Sequence, residues 1–390
     1  MNILYIGQFS PKSLLDKYPD KGLDTYKTSE FLIRGFRKRK DVKLQVVTAP
    51  DVGSYPKFPQ VIFRREVEED GTVVAGFLNL PYIKQILISN HLFKEVCRIV
   101  KHNEDKTYVI LPYVVYHYAK VGQRLKRKFG DRVIISQTVP DVFFPKRWLN
   151  RRVNAKAEQI AAKADAFVLF TKAMAEYFGV QEGKYIVMES VIDGETYPSV
   201  LSKQEAHGKC RVVYTGALGR PNGVGKLIEM MKLLIRDDFE LWVTGRGAMC
   251  SAFEEAAKDD TRVKFLGTVP KSDVFKYQST ADILINPRSD QDAPIVTKYM
   301  FPSKLMEYML TGNVTLTCRM EGIPVDYYNY VFVSEDDSPQ GLASALGKLL
   351  DMPPDDRQKK GLEARQYILD NKTIEVQVGR IIELLKNVSK

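Results

Sequence analysis

Short apolar runs alternate with amphipathic stretches twice over along this chain. NILYIG (2–7) predicts a strand that ends in glycine, and SEFLIRGFRKR behind it predicts a helix. KLQVVTA (43–49), YVILP (108–112), VIISQ (133–137) and AFVLF (166–170) predict further strands. After about residue 200 the pattern restarts with RVVYTG (211–216) and the helical VGKLIEMMKLLI (224–235). FELWVTG (239–245), VKFLG (263–267), DILINP (282–287) and VTLTC (314–318) continue it, with helical segments between. Strands spaced by helices imply parallel sheets covered on both faces. The expected fold is α/β, with two doubly wound Rossmann-like domains. The polar stretch ESVIDGETYPSVLSKQEAHGKC (189–210) marks the join, giving domains 1–196 and 197–372. TIEVQVGRIIELLKNV (373–388) reads as an amphipathic helix, and the segment 373–390 is expected to pack back on the first domain.

Composition sharpens this picture in a few places. The 390 residues exceed one ordinary core and suit two domains. MNILYIGQF has no basic leader and does not read as a signal peptide, and no apolar run reaches the roughly 18 residues of a membrane span. Cys97, Cys210, Cys250 and Cys318 lie far apart, without metal or redox spacing, and read as reduced thiols of a cytoplasmic protein. Charge is uneven. Residues 1–200 carry 32 Lys and Arg against 22 Asp and Glu, whereas residues 201–390 carry 26 of each. RGFRKRKDVK (34–43), RLKRKFGDR (124–132) and KRWLNRR (146–152) hold the excess, either as solvated helix faces or as the footprint of an anionic partner. These clusters lack the interleaved aromatic residues of single-strand nucleic-acid binders, so no nucleic-acid partner is expected.

In open parallel sheets ligands bind beyond the carboxyl ends of the strands, so glycines and charges at those positions are the candidate chemistry. Gly7, Gly216, Gly245 and Gly267 each close a predicted strand. GRPNGVGK (219–226) fails as a triphosphate-binding loop, because Arg220 and Leu227 stand where Gly and Ser/Thr are required. It remains a glycine-rich turn whose amides suit a phosphate, or simply a chain reversal. TGRG (244–247) places Arg246 between two glycines, as a phosphate clamp or a solvated turn residue. INPRSD (285–290) ends a strand with Arg288, and SDQDAP (289–294) carries an Asp-x-Asp pair.

KYMFPSKLMEYM (298–309) has the buried stripe of a packed helix in Leu305, Met306, Met309 and Leu310. Pro302 suits the first helical position, which leaves the amides of Ser303 and Lys304 unpaired at the positive end of the dipole. Lys304 adds a charge that the dipole disfavours, and a bound anion relieves the conflict. Glu307, one turn deeper on the same face, is placed to accept from the two hydroxyls of a ribose. The plain alternative is a surface Lys304–Glu307 pair worth about 0.3 kcal/mol.

Taken in order, YTG…NG…LI, LWVTGRG, VKFLGTV, YQSTADILINPR and KYMFPSKLMEYMLTGNV (211–316) resemble the donor-binding half of family 4 glycosyltransferases. These are retaining enzymes of the GT-B fold, with two domains facing a central cleft, and the similarity runs to bacterial capsule and exopolysaccharide enzymes. QTVPDVFFP (137–145) is similar only loosely to an N-terminal segment of that family. The resemblance implies that Glu307 binds ribose as the second glutamate of an E-x7-E motif, that Gly267, Thr268 and Val269 contact the base, and that Gly7 approaches the diphosphate. Tyr299 stands where the family has its first glutamate, and Ala217 and Asn222 stand near the family's phosphate-binding Arg and Lys. Arg220, Arg246 and Lys304 are candidates to replace those cations, and Arg288, Asp290 or Asp292 to replace the glutamate. On the acceptor side Asp141 and His117 are the candidate catalytic residues, together with Lys304 on the donor side.

The resemblance therefore implies a retaining hexosyltransferase. It would move a sugar from a nucleotide diphosphate sugar, with uridine diphosphate the commonest base, to a saccharide or polyprenyl-diphosphate-linked acceptor in surface polysaccharide synthesis. No cofactor and no metal are expected. A basic first half fits a peripheral position on the anionic inner face of the cell membrane. A nucleotide-sugar 2-epimerase of related fold and a non-catalytic glycosyltransferase-like subunit are the rival readings.

Overall fold

The structure, a computed structural model, describes residues 1–7, 9–18, 27–145, 148–193 and 208–390. The chain divides into two compact units, Met1–Ile192 with Ile374–Lys390, and Asp193–Thr373.

The first unit is built on an eight-stranded sheet. From one edge the strands run Tyr185–Val187, Ala166–Leu169, Val133–Val139, Thr107–Leu111, Asn2–Gly7, Lys43–Thr48, Val73–Val74 and Glu66–Val67. All neighbours are parallel except the last pair. The strand Val133–Val139 is buried at every position, as a strand covered on both faces must be. Side chains alternate across the pleat. Leu4, Ile6, Val109, Leu111, Val133 and Ile135 join the helices Lys84–His102 and Tyr116–Phe129 in one core. Ile3, Tyr5, Ile110, Ile134 and Val168 join the helices Lys27–Lys38 and Ile374–Asn387 in the other. The last helix earns its place by periodicity, since Ile374, Val378, Ile381, Ile382 and Leu385 fall on one stripe and all are buried. Gly35 lets it approach closely, because a Cβ there would lie 2.4 Å from the Ile374 side chain.

The second unit has an all-parallel six-stranded sheet. Its order is Val263–Phe265, Phe239–Thr244, Cys210–Thr215, Ile283–Asn286, Val314–Thr317, Phe332–Val333. Counted along the chain this is 3-2-1-4-5-6, the doubly wound order, and it reverses between Cys210–Thr215 and Ile283–Asn286. Connections leave that point in opposite directions, so a crevice opens at the carboxyl ends of these two strands. The helix foreseen at 224–235 spans Gly225–Leu233, because Leu234 already has extended backbone.

Candidate functional site

The crevice of the second unit is walled by glycine. The strand Cys210–Thr215 runs into Gly216, and Phe239–Thr244 runs into Gly245. A Cβ on Gly245 would lie 1.7 Å from the Gly216 carbonyl oxygen, so no other residue fits there. Gly245 N donates to Gly267 O at 2.8 Å and Leu218 N to Arg246 O at 2.9 Å, which ties the three loops together. Gly267 turns the third loop at φ +64°, leaving Thr268 exposed and Val269 partly exposed beside it.

The helix Ser303–Leu310 closes the crevice from below. Leu305, Met306, Tyr308, Met309 and Leu310 are buried, as the stripe requires. Pro302 occupies the capping position and not the first helical one; with φ −74° and ψ 92° its backbone is still extended. It offers no side-chain acceptor to the first-turn amides, and Ser303 beside it is exposed. The Tyr308 hydroxyl accepts from Thr215 N at 2.9 Å and donates to Thr215 O at 3.2 Å, which pins the helix to the end of the first strand.

Lys304 and Glu307 do not form an ion pair. Lys304 Nζ turns instead to the Tyr214 hydroxyl, donating at 2.8 Å, and sits 4.3 Å from that ring's centroid. Gly216 makes room for it: a Cβ there would lie 2.5 Å from Nζ. The side chain keeps some exposure, but its ammonium end is crowded. Burial lowers its pKa to about 8, Arg288 pushes in the same direction, and Glu307 opposes both. Arg288 is a second crowded cation: it forms no ion pair with a described residue, although Asp292 is near enough to favour its charge. Its Nη1 meets only the Met300 sulfur at 3.1 Å, its Nε is buried and unpaired, and burial holds its pKa below the usual arginine value. Glu307 is partly buried, and its carboxylate makes no hydrogen bond to any described residue. Two crowded cations and a carboxylate thus share this crevice, and none of the three forms an ion pair or a hydrogen bond to a charged group of another described residue.

Three residues at this crevice escaped the reading of the sequence. Tyr214 and Tyr308 look there like ordinary apolar positions, and only the packing shows their hydroxyls at the strand end. Lys226 was visible as the last residue of GRPNGVGK. Its ammonium donates to Ser289 Oγ at 3.0 Å and to Asp292 Oδ2 at 2.9 Å, with both charged side chains about 15% exposed. Asp292 Oδ2 also accepts from Ser289 N at 2.8 Å, and Asp290 Oδ2 accepts from Glu321 N at 2.9 Å. The Asp-x-Asp pair therefore fastens the loop that follows Arg288. Gly223 lets the two loops meet, since a Cβ there would lie 2.5 Å from Pro287 O. Among the described residues no group of three His, Cys, Asp or Glu is disposed to hold a metal ion.

The remaining candidates stand further out. Tyr299 ends the short helix Pro294–Lys298 and is partly buried, while its neighbour Lys298 pairs with Glu321 at 3.2 Å. Arg220 and Arg246 are exposed. In the first unit Gly7 lies at the analogous switch point, between Asn2–Gly7 and Thr107–Leu111, and its carbonyl accepts from Thr48 Oγ1 and from the Tyr118 hydroxyl, both at 3.3 Å. His117, in the first turn of Tyr116–Phe129, is buried with its ring 4.2 Å from that of Tyr118. Burial lowers its pKa to about 4, which Lys84 reinforces and Asp51 opposes, so it is neutral at pH 7. Asp141 is exposed, yet the surrounding protein raises its carboxyl pKa by desolvation. A cavity of about 290 Å³ in this unit, between the helices Tyr116–Phe129 and Trp148–Ala161, is lined by Gly122, Lys126, Gln137 and Ile160 and by none of these candidates.

Residues 209–352, which include every candidate of the second unit, match the family model described as Glycosyl transferases group 1. That match falls wholly within the second unit. No curated protein matches the chain in sequence. Solved structures match it in fold over nearly its whole length. A glycosyltransferase from Rickettsia africae ESF-5 is 14% identical, with a TM-score of 0.66 over 100% of this chain and 98% of that one. Sucrose-phosphate synthase from Thermosynechococcus elongatus is 14% identical, with a TM-score of 0.63 over 99% of each chain. Anabaena Alr3699/HepE, solved in complex with UDP and glucose, is 15% identical, with a TM-score of 0.60 over 99% of each chain. The chain has the GT-B fold, an α/β architecture of two Rossmann-like domains.

Proposed function

We propose that this protein is a retaining glycosyltransferase that takes its sugar from a nucleoside diphosphate donor. The observation that carries the reading is the set Lys304, Arg288 and Glu307 at the switch point of the second sheet: two crowded cations and a carboxylate that form no ion pair, and no hydrogen bond to a charged group, with any described residue. A diphosphate supplies the missing negative charge, and a ribose supplies two hydroxyls to Glu307. As the glycosidic bond to the diphosphate breaks, negative charge grows on the leaving oxygen. Lys304, Arg288 and the uncapped first-turn amides then stabilise that charge, which is the protein's main contribution. Asp290 and Asp292 are engaged with Glu321 N and Lys226, so the reading assigns neutralisation of the diphosphate to side-chain cations and assigns no metal. Uridine is the proposed base, supported by the UDP in the Anabaena structure. The acceptor is proposed to be a saccharide or a polyprenyl-diphosphate-linked sugar of surface polysaccharide, met at an anionic membrane surface by the basic first half. No helix among the described residues is long and apolar enough to cross a membrane.

The test is a thermal-shift screen against UDP, GDP, ADP, CMP and their sugar conjugates, with and without magnesium. At 100 times its dissociation constant a ligand stabilises by about 2.7 kcal/mol, so a true donor stands out. A shift with one diphosphate that does not depend on magnesium supports the reading and names the base. No shift with any of them overturns it in favour of a non-catalytic subunit, in keeping with Tyr299, Ala217 and Asn222 at the departing positions.

A further inference from the structure

We propose that the loop and helix following the strand Val133–Val139 form the ledge by which the protein seats on an anionic lipid bilayer, an inference that specifies the membrane part of the proposed function. Phe143, Phe144, Trp148 and Val153 are 56%, 48%, 66% and 47% exposed. Four large apolar side chains are exposed within eleven residues of chain, and a folded monomer exposes such a concentration where something docks. The patch is held in place. Arg151 Nε donates to Pro145 O at 2.8 Å and Asn154 Nδ2 to Phe143 O at 3.2 Å, so the loop is tied down onto the helix Trp148–Ala161. Phe144 meets Tyr177 edge to face at 6.4 Å, which braces it from the next helix.

The charge around the patch selects the occupant. Arg151, Arg152 and Lys156 are exposed on the same helix, and residues 143–157 contain no Asp or Glu. The Arg152 guanidinium lies 4.9 Å from the Trp148 ring, so a cation and an indole are presented together. Aromatic rings that enter the headgroup layer, flanked by cations of one sign, are the chemistry that binds an anionic bilayer interface. A second exposed apolar cluster at Ile62, Val67 and Leu78 lacks this character, because Glu66, Glu68 and Glu69 run through it and would be repelled by such a surface. The ledge begins at the carboxyl end of its strand, two residues after Asp141. It would therefore bring lipid headgroups to the acceptor side of the first unit.

Flotation with phosphatidylcholine vesicles, with and without phosphatidylglycerol, tests this on the full chain. Wild type, Phe144→Ser/Trp148→Ser and Arg151→Ala/Arg152→Ala are compared; circular dichroism and the ligand-free unfolding transition of each full-length variant serve as the control for folding of the first unit, and the thermal shift with the nucleotide donor as the control for the second. Wild type is expected to float with the phosphatidylglycerol vesicles at low salt and to sediment with phosphatidylcholine alone. Loss of the two arginines is expected to weaken partitioning roughly thirtyfold, at about tenfold for each 1.4 kcal/mol and about 1 kcal/mol for each cation. Loss of the two aromatic residues is expected to abolish flotation while the nucleotide shift persists. If the variants float as well as wild type does, the ledge is not the seat. Wild-type protein that ignores anionic vesicles while still shifting with nucleotide overturns the membrane proposal and leaves the donor proposal standing. Self-association that disappears in Phe144→Ser/Trp148→Ser, with no flotation of wild type, assigns the patch to a protein partner instead.

Discussion

At the scale of single residues, Lys304 holds the most chemical information in the second unit. Its folded pKa of about 8 lies below the ordinary 10.5, so folding favours the neutral amine. The unfolded chain binds the extra proton between those values, and this group's contribution to stability therefore rises as pH climbs from about 8 to 10.5. Binding runs the other way, because a diphosphate needs the ammonium. Nucleotide affinity is expected to fall above pH 8, approaching tenfold per unit, when titrated calorimetrically. Lys304→Arg should flatten that decline, and Lys304→Met should weaken binding at all pH values. Glu307→Ala should weaken nucleotide binding by one to two orders of magnitude, about 1.5–3 kcal/mol for a charged hydrogen-bonding group, with little change in unfolding temperature without ligand. Unchanged affinity in both Lys304→Met and Glu307→Ala would remove the basis for the site. The sequence displayed these two residues because a helix start with a misplaced charge is a local anomaly. Tyr214, the partner of Lys304, gave no such sign, since a tyrosine in a buried strand is ordinary and its hydroxyl's position depends on a helix ninety residues away.

Among elements, the strands and helices that carry whole layers were legible, and the small ones were not. The runs at 2–7, 43–49, 133–137, 211–216 and 282–287 are apolar for nearly their full length because both faces of a parallel sheet are covered, and each forms a strand. Tyr185–Val187 and Phe332–Val333 are edge strands of three and two residues, too short for any periodicity to show. The helix Ile374–Asn387 shows its stripe plainly, and the stripe is buried. Ile381→Ala is expected to cost about 2–5 kcal/mol in urea unfolding, as for other large-to-small changes at buried positions. The junction of the glycine-rich turn with the loop after Arg288 was not legible, because its parts lie more than sixty residues apart. Lys226→Met or Asp292→Asn should each destabilise the second unit by about 3 kcal/mol, the cost of leaving one charge of a mostly buried pair alone. The double variant should cost clearly less than the sum, and strict additivity would show that the bridge holds nothing.

For the molecule as a whole, the restart of the strand pattern near residue 200 and the uneven charge both appear in the plain sequence, and the α/β fold follows from the first of them. The two units differ in one respect that bears on how the protein is made. Asp193–Thr373 is an unbroken stretch of chain, whereas the first unit needs Ile374–Lys390 to complete the core around Ile3, Tyr5, Ile110 and Ile134. A fragment of residues 193–373 is accordingly expected to unfold cooperatively and to keep its nucleotide shift. Residues 1–192 alone should bind a hydrophobic dye and aggregate, and a soluble, cooperatively folding 1–192 fragment would contradict this account. During synthesis the half that emerges from the ribosome first is therefore expected to wait, one face of its central sheet only partly covered by Lys27–Lys38, until the last helix arrives. The later half, complete at its own final residue, reaches its native core first, reversing the usual order from amino to carboxyl terminus. The opening domain of a newborn chain is thus expected to be open to chaperones for as long as it takes to translate the other.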